Sequence, residues 1–213
     1  MSNEDHKVNV PEGVSGCWSI TRFSVSKSQY LMTGITLRTR AVIPGDYTRL
    51  KRGGTVVMSD TPADVRDHNE LFSRARDTVQ YNRQATNYTT TALIHGLGLG
   101  MALKAILDYG IQHVTVVENS EDVIKLVAQH YLDDYPGRIT IIHDDARTWK
   151  PKRGAHWDLV WHDIWDNITS DNLSEMRAFH RRFGRRSNWQ GSWARSACER
   201  QRRENRKNFG SRD

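Results

Sequence analysis

Cysteine is almost missing from this chain: Cys17 and Cys198 stand far apart and match neither a zinc-ligand spacing nor a disulfide framework. A reducing, cytoplasmic setting is therefore expected. No apolar run approaches the roughly 20 residues that a membrane span needs, so no membrane association is expected. Residues Met1 to Pro11 are polar, with no apolar stretch of the kind a secretory signal requires. Internal repeats are absent, and no segment is of low complexity apart from a basic C-terminal stretch. What is present suits one domain of ordinary size: 213 residues, 37% of them hydrophobic and 26% charged, are enough to build a core.

Negative charge is scarce toward the C-terminus. From Arg177 to Asp213 there are 12 Lys and Arg against 3 Asp and Glu, whereas the other 176 residues hold 19 basic and 22 acidic groups. The formal net charge of +6 thus comes from the last 37 residues. Arginines can clamp phosphates, and Trp189 and Trp193 beside them can stack on bases, so nucleic acid is one expected partner. A solvated arginine-rich helix explains the same residues. So does a helix docked on the body or on another subunit through Phe179, Phe183, Trp189 and Trp193.

The chain divides into an arm over 1–15, a β segment over 16–60, an α/β domain over 61–184 and a basic helical tail over 185–213. Trp18 to Val25 alternates with period two, and Leu37 to Ile43 and Thr55 to Met58 are further strand candidates, separated by Pro44-Gly45-Asp46 and Gly53-Gly54. Ser59-Asp60-Thr61-Pro62 reads as a helix start running to about Asp77, with Asp60 or Thr61 as cap. Thr78 to Thr90 reads as an exposed connection. Strand-like runs over Ala92–Ile94, His113–Val117, Arg138–Ile142 and Trp157–Ile164 then alternate with helical patterns over Leu99–Tyr109 and Glu121–His130. This order predicts a parallel sheet with crossover helices. After Asp166 only helices are expected, from Asp171-Asn172 to about Phe183 and from about Trp189 to Arg206, so the sheet is expected to be truncated or completed by a partner subunit.

Gly96-Leu97-Gly98-Leu99-Gly100 directly follows a predicted strand and opens a predicted helix. Bare glycines let backbone turn sharply and approach a ligand closely. Glu118 ends the next strand, 18 residues past Gly100, where an acid in such a fold accepts bonds from ribose hydroxyls. A glycine-rich turn beside a surface glutamate is the plain alternative. The dinucleotide spacing G-x-G-x-x-G/A is not met, since Met101 or Leu103 falls at its last position.

The G-x-G-x-G spacing resembles the first motif of class I S-adenosyl-L-methionine (SAM)-dependent methyltransferases. Asp144-Asp145-Ala146 after the third strand and Asp158 to Asp163 on the fourth are similar to that superfamily's adenine-side acid and catalytic motif. Asp163-Ile164-Trp165-Asp166, the β-rich N-terminal segment, and Met58-Ser59-Asp60-Thr61-Pro62 leading to Asp67-His68 resemble the spermidine-synthase-like branch, including small phage-type relatives. The resemblance covers roughly residues 30–183. It implies a Rossmann-like SAM-binding sheet with a small antiparallel N-terminal β segment. It further implies SAM as cofactor, with Gly96, Gly98 and Gly100 along its amino-acid portion, Glu118 on the ribose, and Asp145 with Ala146 at the adenine. Asp163 is the implied proton acceptor, and Asp166 the implied holder of a cationic substrate. Leu99 stands where aminopropyltransferases carry an acid in G-G-G-D-G. Neither the Pro-Pro-aromatic motif of DNA amino-methyltransferases nor a Pro-Cys nucleophile occurs.

The expected activity is methyl transfer to a small-molecule or nucleic-acid acceptor. An aminopropyl-type or other SAM-using transfer to an amine is one alternative, and a non-catalytic SAM-fold module that binds nucleic acid or a protein is another. His95, His143 and His162 fall near strand ends, yet alternation along strands places some beneath helices, so no metal site is expected. Trp157, Trp161 and Trp165 read as core packing, or, for Trp165, as a wall of the site.

Overall fold

A computed structural model describes residues 6–30, 42–83 and 88–210. Two sheets make the framework. Strands β1 (Gly13–Ser15), β2 (Trp18–Val25), β3 (Gly45–Arg52) and β4 (Thr55–Ser59) form an antiparallel meander in that order. A parallel sheet follows, built from β5 (Thr91–His95), β6 (His113–Glu118), β7 (Ile139–His143), β8 (Trp157–His162) and β9 (Ser187–Ser192), with spatial order β7-β6-β5-β8-β9. Among the described residues the helices include α1 (Pro62–Asp67), α2 (Asn69–Asn82), α3 (Met101–Tyr109), α4 (Glu121–Asp134), α5 (Asn172–Phe183) and α6 (Arg195–Gly210). The expected Rossmann-like α/β class, with a small N-terminal antiparallel sheet and a C-terminal helix, is the observed one.

Alternation along the strands splits the core into two layers. Ala92, Ile94, Val114, Val116, Leu159 and Trp161 face α2, α3 and α4 and the N-terminal meander. Leu93, Val117 and Val160 face α5 and the start of α6, through Leu173, Met176, Phe179, Phe183 and Cys198. Burying each such large side chain contributes about 1.5–3 kcal/mol.

Four local expectations fail. Residues 6–15 are no loose arm: Val8 and Val10 lie in the core, and β1 pairs with β2. Gly45–Arg52 forms β3, taking in Gly45 and Asp46 that read as a separator between strands, because Tyr47, Thr48 and Leu50 bury while its charged residues stay nearer the surface. The helix expected to end near Asp77 breaks at His68 and continues through Asn82, shortening the connection. The helix expected from Trp189 begins only at Arg195, because Ser187–Ser192 adds a fifth parallel strand against β8. The strand expected over Leu37–Ile43 falls on residues 37–41, outside the described residues. Among the described residues no helix is long and apolar enough to cross a membrane.

The glycine loop is fastened from below. Gly100 caps α3 with φ +75°, and a Cβ there would lie 2.0 Å from the ring of Tyr131. Tyr131 is itself buried and donates its hydroxyl proton to the Leu99 carbonyl at 2.8 Å. Left-handed strain of about 1–2 kcal/mol and the overpacking of a fixed ring add in Gly100→Ala. We expect a loss of about 2–3 kcal/mol, read as a lowered urea midpoint with unchanged slope. A wild-type midpoint would contradict the fastening.

Candidate functional site

The strand order reverses beside β5: β6 follows on one side and β8 lies on the other. Open α/β sheets bind ligands outside the carboxyl ends of strands at such a switch point. A cavity of about 320 Å³ opens there, roofed by the N-terminal meander through Trp18, Leu50, Val57 and Met58. Gly96, Gly98, Glu118, Asp145, Ala146, Asp163 and Asp166 all line it. Gly100 does not: it faces Tyr131 and shapes the loop from behind.

Two glycines are bare for reasons internal to the protein. Gly96 (φ +92°) lies so near β8 that a Cβ would sit 2.0 Å from the Asp163 carbonyl oxygen. Gly98 (φ +52°) lies under Met58, whose sulfur would be 2.7 Å from such a Cβ. The loop N–H groups are largely committed. Leu97 N–H donates to Glu118 Oε2 at 2.7 Å, Leu99 N–H to Met58 Sδ at 3.3 Å, and Gly100 N–H to the Leu97 carbonyl at 2.8 Å. Such a loop is no phosphate nest, which needs converging free N–H groups.

Glu118 is 7% exposed, and its Oε1 accepts the Ser120 N–H at 2.8 Å. Burial pushes its carboxyl pKa up and the neighbouring Asp163 charge adds to this, against the amides of Leu97, Ser120 and Asn119, which favour the anion. The result is a buried acceptor fixed by backbone at both oxygens.

Asp163 follows β8 and meets a residue that sequence reasoning leaves without a role. His68 Nε2 is 2.9 Å from Asp163 Oδ2, and His68 Nδ1 is 2.9 Å from the Asp64 carbonyl. A carbonyl only accepts, so Nδ1 carries a proton, and a second proton must lie between Nε2 and the carboxylate. The His68 side chain is 0% exposed and that of Asp163 10%. Burial alone would lower the His68 pKa, but Asp163 outweighs it and the net direction is up. The helix break that seats His68 at the α1–α2 junction is what turns the imidazole inward, between Phe72 and Trp161. The other Asp163 carboxylate oxygen has no hydrogen-bond partner among the described residues.

Ala146 and Asp145 also line the cavity, and Asp145 accepts the Arg147 N–H at 2.8 Å. Arg147 Nε donates to Glu175 at 2.7 Å, and Glu175 accepts Trp165 Nε1–H, also at 2.7 Å, so this side is braced from α5. Trp165 is a wall of the cavity, while Trp157 and Trp161 belong to the core. Asp166, expected to await a cationic substrate, already pairs with Arg52 of β3, whose guanidinium lies over Trp18. That pair ties the meander to the β8 loop across the cavity.

His95 and His162 point to the other face of the sheet, beneath α5. Their Nδ1 atoms are 2.8 Å apart, and His162 Nε2 is 3.3 Å from Gln190 Oε1. His143 Nε2 is 3.2 Å from the Asn119 carbonyl. Among the described residues no group of three potential ligands could hold a metal ion.

His68, Met58, Arg52 and Trp18 were not legible as site residues. Met58 and His68 flank a recognisable helix start, but only the meander's fold-back and the break at His68 bring them to the glycine loop.

No protein-family model matches the chain, and no curated protein does. Solved structures with a similar fold include a Pyrococcus horikoshii protein proposed to be an RNA methyltransferase, at 16% identity and TM-score 0.42, covering 57% of this chain and 55% of that one. The plantazolicin methyltransferase BpumL, solved with S-adenosylhomocysteine, has 15% identity and TM-score 0.35, covering 57% and 44%. The CcbJ methyltransferase of Streptomyces caelestis has 15% identity and TM-score 0.36, covering 51% and 44%. This chain spans about half the length of those structures. At TM-scores below 0.5 these likenesses assign neither activity nor ligand to it.

Proposed function

We propose that the chain is a SAM-dependent methyltransferase of spermidine-synthase-like type. One observation carries the reading: a buried carboxylate, Glu118, is clamped by the glycine loop's own N–H inside a cavity where acids outnumber bases. Asp64, Glu118, Asp145, Asp163 and Asp166 line that cavity against Arg52, Arg147 and the doubly protonated His68. Such a lining suits a cation and disfavours a phosphate-bearing dinucleotide. The volume of about 320 Å³ fits the lower end of small-ligand pockets, roughly 300–1,000 Å³. The roof of antiparallel strands over the glycine loop supports the spermidine-synthase-like type.

Glu118 would hold the ribose, Asp145 with Ala146 the adenine, and Gly96 and Gly98 the amino-acid portion. When bound, the sulfonium supplies an already activated methyl group, so the protein contributes position, orientation and a proton acceptor. Asp163 takes the proton of the attacking amine or hydroxyl. His68 fixes the Asp163 carboxylate from behind and is a positioning residue. The Arg52–Asp166 pair and Met58 hold the meander over the glycine loop.

Calorimetry with SAM tests the binding reading. Glu118→Gln puts an amide NH2 against a backbone N–H and removes a charged acceptor worth about 1.5–3 kcal/mol. Affinity for SAM is expected to fall about 10- to 100-fold. Undetectable binding to the wild type, or an unchanged affinity in the variant, would refute the reading. Release of S-adenosylhomocysteine identifies methyl transfer, whereas methylthioadenosine would identify aminopropyl-type transfer instead. Binding without either product would leave a non-catalytic module.

A further inference from the structure

We infer that α6 is a binding arm for the sugar–phosphate backbone of single-stranded nucleic acid, set beside the cavity rim. The C-terminal basic residues divide into two groups. Arg182 donates to the carbonyls of Ala146 and Arg147 at 3.0 and 2.8 Å, and Arg195 bonds Glu199 and His180 at 3.1 and 2.8 Å. These hold the fold. Arg200, Arg202, Arg203 and Arg206 have no hydrogen bond or ion pair to any described residue, and all but the half-buried Arg202 are exposed. On α5, which packs against α6, Arg177 and Arg181 are likewise exposed and unpaired, four residues apart.

The helix gains little from its own contacts. Arg203 to Asn208 are all exposed, so no apolar face holds these turns. Helices of this kind draw most of their stability from tertiary packing. Arg202 with Arg206 is a like-charge i,i+4 pair, which is unfavourable. A polyanion relieves both faults at once. An anionic membrane surface fits less well, because an interfacial helix needs an apolar face to bury, and Gln201 to Asn208 offer none. The placement also directs the ligand. Trp193, two residues before α6, lines the cavity, and Gln201 Oε1 accepts the Ser170 N–H at 2.6 Å, fixing α6 to the loop that follows Asp166. A strand bound along α6 therefore passes the cavity rim.

The test uses the full chain and a fluorescently labelled 20-nucleotide single-stranded RNA, followed by anisotropy across a salt series. DNA of the same sequence and its duplex form two further arms. A fourth arm is sedimentation with phosphatidylserine–phosphatidylcholine vesicles. Arg200→Gln/Arg202→Gln/Arg203→Gln/Arg206→Gln is compared with a charge-matched control, Lys125→Gln/Lys150→Gln/Lys152→Gln/Arg153→Gln. Wild type and control are expected to bind single strands at micromolar concentration in low salt. The α6 variant is expected to bind at least 10-fold more weakly, with its log–log salt slope reduced by about 3, from roughly 0.7 released counterions per contact. Circular dichroism and calorimetry with SAM should be unchanged in both variants. Equal losses in the two variants, no loss in the α6 variant, a stronger preference for duplex, or vesicle binding that exceeds strand binding would each overturn the inference. Because SAM affinity is measured separately, failure here leaves the cavity's assignment standing, and the reverse also holds.

Discussion

Replacing Asp163 by asparagine is expected to move the His68 titration from above the ordinary histidine value of about 6.5 to below it, and to slow the proposed methyl transfer by about 10²–10⁴-fold. The first effect follows from the geometry. The Asp64 carbonyl requires a proton on His68 Nδ1, so the imidazolium exists only because the Asp163 carboxylate sits 2.9 Å from Nε2. Without that charge, burial alone governs the ring and lowers its pKa. The asparagine NH2 can donate to the freed Nε2 lone pair, so the local hydrogen bond survives and the fold is kept. The second effect follows because an amide does not take up a proton. Titration of the ring by NMR reads the first effect without any acceptor being known. Labelled methyl transfer into nucleic-acid and small-molecule fractions reads the second. A His68 pKa that stays high in the variant would refute the shared-proton pair, and undiminished transfer would refute Asp163 as proton acceptor. His68→Asn provides the companion test: the positioning role predicts that the pH profile of transfer loses its limb above 6.5 while SAM affinity holds.

The parallel half of the fold was legible because its strands are short, β-branched and apolar, and because alternation with helical periodicity admits few other arrangements. The strand ends that carry the glycine loop, Glu118, Asp145 and Asp163 to one cavity were legible for the same reason, but Asp145 and Asp163 stood out there only through the resemblance to class I SAM-dependent methyltransferases. Gly100 shows the limit of that reasoning, since a glycine string does not reveal which member faces a ligand and which faces Tyr131. β3 and β9 escaped notice because Gly45–Arg52 carries several charges and Ser187–Ser192 is mostly polar. Tertiary pairing, rather than local propensity, makes them strands. His68 and the Arg52–Asp166 pair depend on how the meander folds back over the sheet, with partners 95 and 114 residues apart in sequence. No local pattern encodes such contacts.

The histidines beneath α5 predict a strong acid sensitivity. Gln190 Nε2 donates to the His180 carbonyl at 2.9 Å, so Gln190 Oε1 is an acceptor and His162 Nε2 must carry the proton toward it. His162 Nδ1 is then a lone pair, and His95 Nδ1 donates to it at 2.8 Å. His95 Nε2 is left as a buried acceptor without a partner among the described residues. Both rings are 0% exposed and neutral: burial lowers His95 well below the ordinary value and takes His162 to about 3. In the unfolded chain both protonate near 6.5, so below that pH the unfolded state binds more protons and stability falls as pH falls. Between pH 7 and pH 5 His162 alone removes about 2 kcal/mol, and His95 acts in the same direction, against the roughly 5–15 kcal/mol typical of a domain. His68, Glu118 and Asp60 act in the opposite sense, because their raised folded pKa values make the folded state the stronger proton binder as pH falls. Urea midpoints at pH 7 and pH 5 measure the balance, and a clear fall is expected. His95→Phe removes one titrating ring and the orphan nitrogen from an aromatic nest formed with Phe179 and Phe183. Its pH slope should therefore drop by about one proton, or about 1.4 kcal/mol per pH unit. A variant that keeps the full slope would show that His95 accepts a proton inside the fold and that the tautomer chain is wrong.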